Sequence, residues 1–130
     1  MSLTATGLLA VAAGGALGGV ARAAVSGAVA RGVGERFPWG TLSVNLTGSF
    51  LIGLLAAVLA GRPEAATLWT LLATGLLGSY TTVSSFSLQT LALMQAGDWP
   101  RAGANVAVSL GGCIGAAAAG WQAAPALGLS

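Results

Sequence analysis

The chain has 130 residues, 55% of them hydrophobic and only 6% charged, with no lysine and no histidine. A soluble domain averages about a quarter charged residues, which it needs to keep a small body dissolved, so a soluble globular class is excluded. The net charge of +2 comes from scattered arginines that form no stripe or patch, so nucleic acid is not an expected partner.

The charges fall at Arg22, Arg31, Glu35, Arg36, Arg62, Glu64, Asp98 and Arg101, and the stretches between them are apolar. A span takes about 20 apolar residues to cross roughly 30 Å of hydrocarbon. The stretches supply four, at about 3–30, 41–60, 68–96 and 102–122. The predicted fold is an all-α membrane protein with four transmembrane helices, forming a single domain over residues 1–130 in the lipid bilayer. Four thin helices cannot enclose a path alone, so an oligomer is expected.

The first span has no basic lead and reads as a retained helix, not a cleaved leader. Gly14, Gly15, Gly18 and Gly19 form two overlapping small-xxx-small patterns that let a neighbouring helix approach closely. Arg22 is the only charge inside a span. It either snorkels to the headgroups or is a buried cation that pairs with backbone carbonyls and sets an anion-friendly field. Pro38 and Trp39 in the loop that follows read as a helix start and an interfacial anchor.

The second span holds Asn45 within Gly40-Thr41-Leu42-Ser43-Val44-Asn45-Leu46-Thr47-Gly48-Ser49-Phe50. Its amide can donate to an anion; the other reading is interhelical glue, worth about 1 kcal/mol or less.

The third span carries the hydroxyl-rich run Gly78-Ser79-Tyr80-Thr81-Thr82-Val83-Ser84-Ser85-Phe86-Ser87. Polar groups at bilayer depth are expensive and are tolerated where they are buried in protein or line a watery path. The run therefore points to passage of something small and polar. Thr81, Ser84 and Ser85 share a helix face, although hydroxyls also back-bond to the preceding turn. Gly78 beside Ser79 predicts a helix break over 78–81, and freed carbonyls there could ligate a hard cation such as Na⁺.

In the fourth span Ser109 could continue the donor track, while Gly111, Gly115 and the alanines at 116–119 suggest close helix packing. The single Cys113 sits mid-span and reads as a small apolar filler. All three acids lie in loops, so the carboxylate that cation pumps and drug antiporters use is missing from the spans. Without histidine there is no parts list for intramembrane hydrolysis, and an enzyme is not expected. Loops one and three carry Arg31, Arg36 and Arg101 against Arg62 on the other side, which leans loops one and three to the cytoplasm.

The Gly40–Phe50 block, the block from Gly75 to Ser87, and Gly15-Ala16-Leu17-Gly18-Gly19-Val20-Ala21-Arg22 together resemble the Fluc (CrcB) fluoride channels over essentially the whole chain. The resemblance implies an antiparallel, dual-topology-type dimer in the inner (plasma) membrane, with two fluoride pores and a structural Na⁺ at its centre. It would make Asn45 the pore asparagine, Gly78 and Thr81 the backbone ligands of Na⁺, and Arg22 the structural first-helix arginine. Ser84, Ser85 and Ser109 would lie on the polar track, beside a pair of fluoride-facing phenylalanines whose positions are Val83 and Phe86. Fluoride is small and strongly hydrated, so amide and hydroxyl donors and the positive edges of aromatic rings must replace its water.

Three positions depart from the family pattern. Val83 replaces the first phenylalanine, Gln89 a glutamate, and Asn105 a tyrosine one turn before Ser109. The chain is thus either a homodimer with a modified pore or one half of a heterodimer whose paralogous partner supplies intact elements. The arginine bias favours the heterodimer, since a dual-topology homodimer needs none. The expected function is passive, selective fluoride export that lowers cytoplasmic fluoride. The competing classes are a small antiparallel multidrug-type transporter and a non-conducting membrane scaffold.

Overall fold

The computed structural model describes residues 4–129, and the expected start of the first span at Leu3 lies outside them. Every regular element among the described residues is helical. The long helices are α1 (Ala5–Val33), α2 (Trp39–Leu59) and α6 (Trp99–Ala126), each long and apolar enough to cross a membrane. Between α2 and α6 the chain runs through short pieces. A 3₁₀ turn over Pro63–Ala65 leads into α3 (Ala66–Trp69), a π-helical segment over Thr70–Leu77, α4 (Gly78–Tyr80) and α5 (Ser84–Gln95).

Local chemistry sets the ends. Thr4 caps α1 by accepting from the Gly7 N–H at 3.0 Å, and Gly34, at φ 83°, closes it with its own N–H on the Ala30 carbonyl. Asp98 caps α6, where its carboxylate accepts from the Arg101 N–H at 3.3 Å and from the Arg101 guanidinium at 2.6 Å. That guanidinium holds the half-buried Asp98 carboxyl below its ordinary value of 3.8.

Apolar side chains point outward. Leu9, Val20, Leu88 and Ile114 are all about two-thirds or more exposed, an inverted arrangement that suits lipid and not water. The small core is built on Val44, Leu77 and Tyr80, with Ala21, Val25 and Ile52 packed against them.

Backbone approaches at glycine hold the helices together, because lipid supplies no hydrophobic drive between them. Gly14 and Gly18 of α1 sit directly against the backbone of Leu71 and Leu76 in the π-helical segment. Gly53 of α2 meets the Ala117 carbonyl, and Gly120 of α6 meets the Phe50 carbonyl. The packing glycines of the first span are thus as expected at 14 and 18, but those of the fourth are not Gly111 and Gly115. Both of these face open space, and Gly112 and Gly120 make the contacts instead. One residue along a helix rotates the side chain by about 100°, which moves the contact to the next glycine.

Candidate functional site

Helical hydrogen bonding lapses between α4 and α5. Thr81 is extended, at φ −84° and ψ 160°, and regular helix resumes at Ser84. Gly78, where the sequence placed the start of the irregularity, is itself helical at φ −60° and ψ −35°. The cause of the lapse is a side chain from another helix. Asn45 of α2 accepts from the Thr82 N–H and donates to the Thr82 carbonyl, both at 2.8 Å. A primary amide offers the same donor and acceptor pair as a peptide group, so Asn45 pairs with Thr82 as a neighbouring strand would.

This exchange reroutes the local hydrogen bonds. In an unbroken helix the Thr82 N–H would serve the Gly78 carbonyl, and the Ser85 N–H would serve that of Thr81. The first goes to Asn45 and the second to the Thr82 hydroxyl at 3.2 Å. That hydroxyl, also 3.2 Å from Ser84 Oγ, takes up one of the first-turn N–H groups of α5. The Gly78 and Thr81 carbonyls are both relieved of their helical donors. Around them, the Thr81 hydroxyl back-bonds to Leu77 at 3.0 Å, and Thr47 Oγ1 meets the Tyr80 hydroxyl at 2.9 Å. Gly48 leaves the room that the Thr81 methyl occupies.

A cavity of about 500 Å³ opens beside this junction, and its walls include Asn45, Gly78, Thr81, Val83, Phe86 and Ser109. Six residues singled out in the sequence, drawn from three predicted spans, therefore meet at one site. Val83 is 76% exposed there, a large apolar side chain with little protein over it. Three others lie elsewhere. Ser84 is exposed and bonded to Thr82, while Ser85 lines a second cavity of about 420 Å³ with Ser26, Thr41, Arg36 and Gln89. Arg22 is half-buried in α1, lines neither cavity, and takes the Ser26 hydroxyl on its carbonyl at 2.7 Å.

Behind Phe86 and Ser109 runs a buried polar chain that sequence reasoning did not assemble. Thr90 donates to the Phe86 carbonyl at 2.7 Å and accepts from the Asn105 amide at 2.8 Å. The Ser109 hydroxyl donates to Asn105 Oδ1 at 3.4 Å. Asn105 had stood out only as a departure from a pattern. The i to i+4 spacings 86–90 and 105–109 were the available signal. Thr82 was equally legible within the hydroxyl run, but its partner Asn45 lies 37 residues away.

Among the described residues no three His, Cys, Asp or Glu side chains cluster. A cation at this junction would be met by neutral oxygens. The Gly78 and Thr81 carbonyls are hard donors of the kind Na⁺ accepts, so the residues present fit such an ion.

Comparison with known proteins places the chain in one group. The family model described as CrcB-like protein, Camphor Resistance (CrcB), matches residues 9–121. A protein of Bradyrhizobium diazoefficiens named Fluoride-specific ion channel FluC 2 is 50% identical over 127 residues, covering 95% of this chain and 92% of that one. Fluoride-specific ion channel FluC of Opitutus terrae is 55% identical over 109 residues, covering 80% and 81%. A third relative, FluC 2 of Rhodopseudomonas palustris, is 52% identical over 124 residues, covering 93% and 95%.

Proposed function

The chain belongs to the CrcB family, and on that premise we propose that it is a subunit of a fluoride-specific channel whose ion path includes the 500 Å³ cavity at the α4–α5 junction. It is a multi-pass protein of the cell membrane and a channel, not an enzyme. Fluoride leaves passively: outside, weak acidification makes HF, which enters and dissociates inside, so an open selective path needs no coupling to energy.

The observation that carries this reading is the convergence of Asn45, Val83, Phe86 and Ser109 on one cavity. Its polar groups are amide and hydroxyl, with no carboxylate to repel an anion. Asn45 has one amide N–H committed to Thr82. The second remains for an anion. Phe86 supplies a ring edge at the same wall. Ser84, Ser85 and Arg22 do not line this cavity.

In this reading the pieces from α3 to α5 together make the third crossing, and the lapse at Thr81 is its working break. The freed carbonyls of Gly78 and Thr81 would hold a Na⁺ at the centre of an antiparallel dimer, where the ion supplies fixed positive charge. The exposed face around Val83 supports a covering subunit. Numbered names among the relatives and the arginine bias support a paralogue as that subunit.

Fluoride-electrode recording from loaded liposomes tests the proposal. The expected result is fluoride efflux without an energy source, with chloride retained. Proton-coupled exchange of a cationic drug would establish the transporter class instead. Absence of flux from the chain, alone and with its paralogue, would leave a scaffold.

A further inference from the structure

Asn105 is 2% exposed and sits behind the cavity wall, bonded to one residue that lines it and, through Thr90, to another. We propose that Asn105 is a positioning residue that weakens the hold of Ser109 on a passing anion by offering the Ser109 proton a competing acceptor.

The orientation of the amide follows from proton counting. Thr90 has one hydroxyl proton, and it goes to the Phe86 carbonyl at 2.7 Å. Thr90 Oγ1 can then only accept, which fixes the Nδ2 end of Asn105 against it and turns Oδ1 toward Ser109. Ser109 also has a single proton. While that proton points at Asn105 it cannot point into the cavity, so an anion at Ser109 must first win it. The contact of 3.4 Å is long for O–H···O, whose usual separation is about 2.7–2.8 Å. The proton is therefore held loosely and released readily. Such a competitor shortens anion residence, and conduction needs sites weak enough to leave.

The inference rests on the reading that fluoride passes Ser109. The experiment is fluoride efflux from liposomes across a range of internal fluoride, read as half-saturating concentration and maximal rate. Asn105→Leu, close in size and without the acceptor, frees the Ser109 proton. Half-saturation is expected to fall about two- to fivefold, the equivalent of one weak hydrogen bond, and the maximal rate to fall with it. Thr90→Val removes the group that fixes the amide, which can then turn its N–H to Ser109, so half-saturation falls here too. Misfolding would lower only the maximal rate, by reducing the number of open channels. In a Ser109→Ala background neither change should shift half-saturation. If Ser109→Ala leaves wild-type efflux unmoved at every concentration, fluoride does not pass Ser109 and the underlying reading fails. If Ser109→Ala alters efflux while Asn105→Leu and Thr90→Val keep the wild-type half-saturation, or shift it equally without Ser109, the role of Asn105 is overturned alone.

Discussion

Asn45 and Thr82 exchange two hydrogen bonds of 2.8 Å, side chain to backbone, across the gap between α2 and the α4–α5 junction. This pairing satisfies the Thr82 N–H and the Thr82 carbonyl without water at the point where the chain leaves helical geometry. It also gives Asn45 two tasks, holding the junction and presenting a donor to the cavity.

The two tasks separate under substitution. Asn45→Asp keeps the acceptor for the Thr82 N–H but sets a carboxylate oxygen against the Thr82 carbonyl and puts negative charge in the proposed anion path. Fluoride efflux is expected to be abolished. Asn45→Leu loses both bonds and leaves a buried peptide group unsatisfied, at about 1–3 kcal/mol per group, so thermal stability in detergent should drop along with flux. Wild-type efflux from either variant would remove Asn45 from the path.

Gly48 and Gly78 are both glycines of the site, yet the structure assigns them different tolerances. A Cβ on Gly48 would enter the space of the Thr81 methyl, with the Tyr80 ring 3.3 Å away, so Gly48→Ala must push the extended residue aside. Overpacking of this kind costs about 1–3 kcal/mol, and both melting temperature and flux should fall. A Cβ on Gly78 meets only the Ala73 carbonyl at 3.7 Å. Gly78→Ala should therefore leave stability unchanged or slightly raised, since Gly78 is helical. The bulkier Gly78→Val should reduce Na⁺-dependent stabilisation if the Gly78 carbonyl holds the ion. A Na⁺ titration of melting temperature that is identical in wild type and Gly78→Val would count against that site.

How much of this was legible in the sequence depends on the range of the interaction. Composition and charge spacing locate the long helices, because lipid imposes length and apolarity on each segment separately. Asn45, the hydroxyl run and Ser109 stand out as polar residues in apolar surroundings, and the cavity that gathers them with Val83 and Phe86 follows from those same segments. The extended residue, Thr81, falls inside the break expected over 78–81, but the cause of the departure was not legible. Gly78 looks like the breaker, but the backbone departs at Thr81 because Asn45 captures Thr82, an interaction 37 residues apart. The π-helical stretch over Thr70–Leu77 likewise carries no local signal. It reads as ordinary helix, and the features that distinguish it are tertiary, with Gly14 and Gly18 of α1 against its backbone.

Outside the membrane, the Asp98–Arg101 pair makes the start of α6 sensitive to acid. The Arg101 side chain, through its hydrogen bond, keeps the folded-state pKa of Asp98 below the ordinary 3.8. The stabilisation is thus present above the ordinary value and is lost as pH falls through the lowered one. Asp98→Ala should lower the melting temperature at neutral pH, where the cap is charged. The difference from wild type should shrink in strong acid. A gap between the two curves that does not change with pH would mean that the charge of Asp98 contributes nothing to the cap.

Val83 offers the most direct test of whose pore the chain helps to build. Its side chain is 76% exposed and lines the cavity that holds Phe86, so a larger ring there meets little of its own subunit. Val83→Phe should fold as well as the wild type, with an unchanged melting temperature. If the face lines a fluoride path within a homodimer, the added ring edge replaces part of the ion's water and flux rises. If a paralogue supplies the missing ring across the interface, the variant gains nothing alone, and the mixed dimer, already complete, conducts as well with valine as with phenylalanine. Efflux measured for Val83→Phe alone and with the paralogue separates these outcomes. Unchanged flux from a homodimer that already conducts fully would place Val83 against lipid instead.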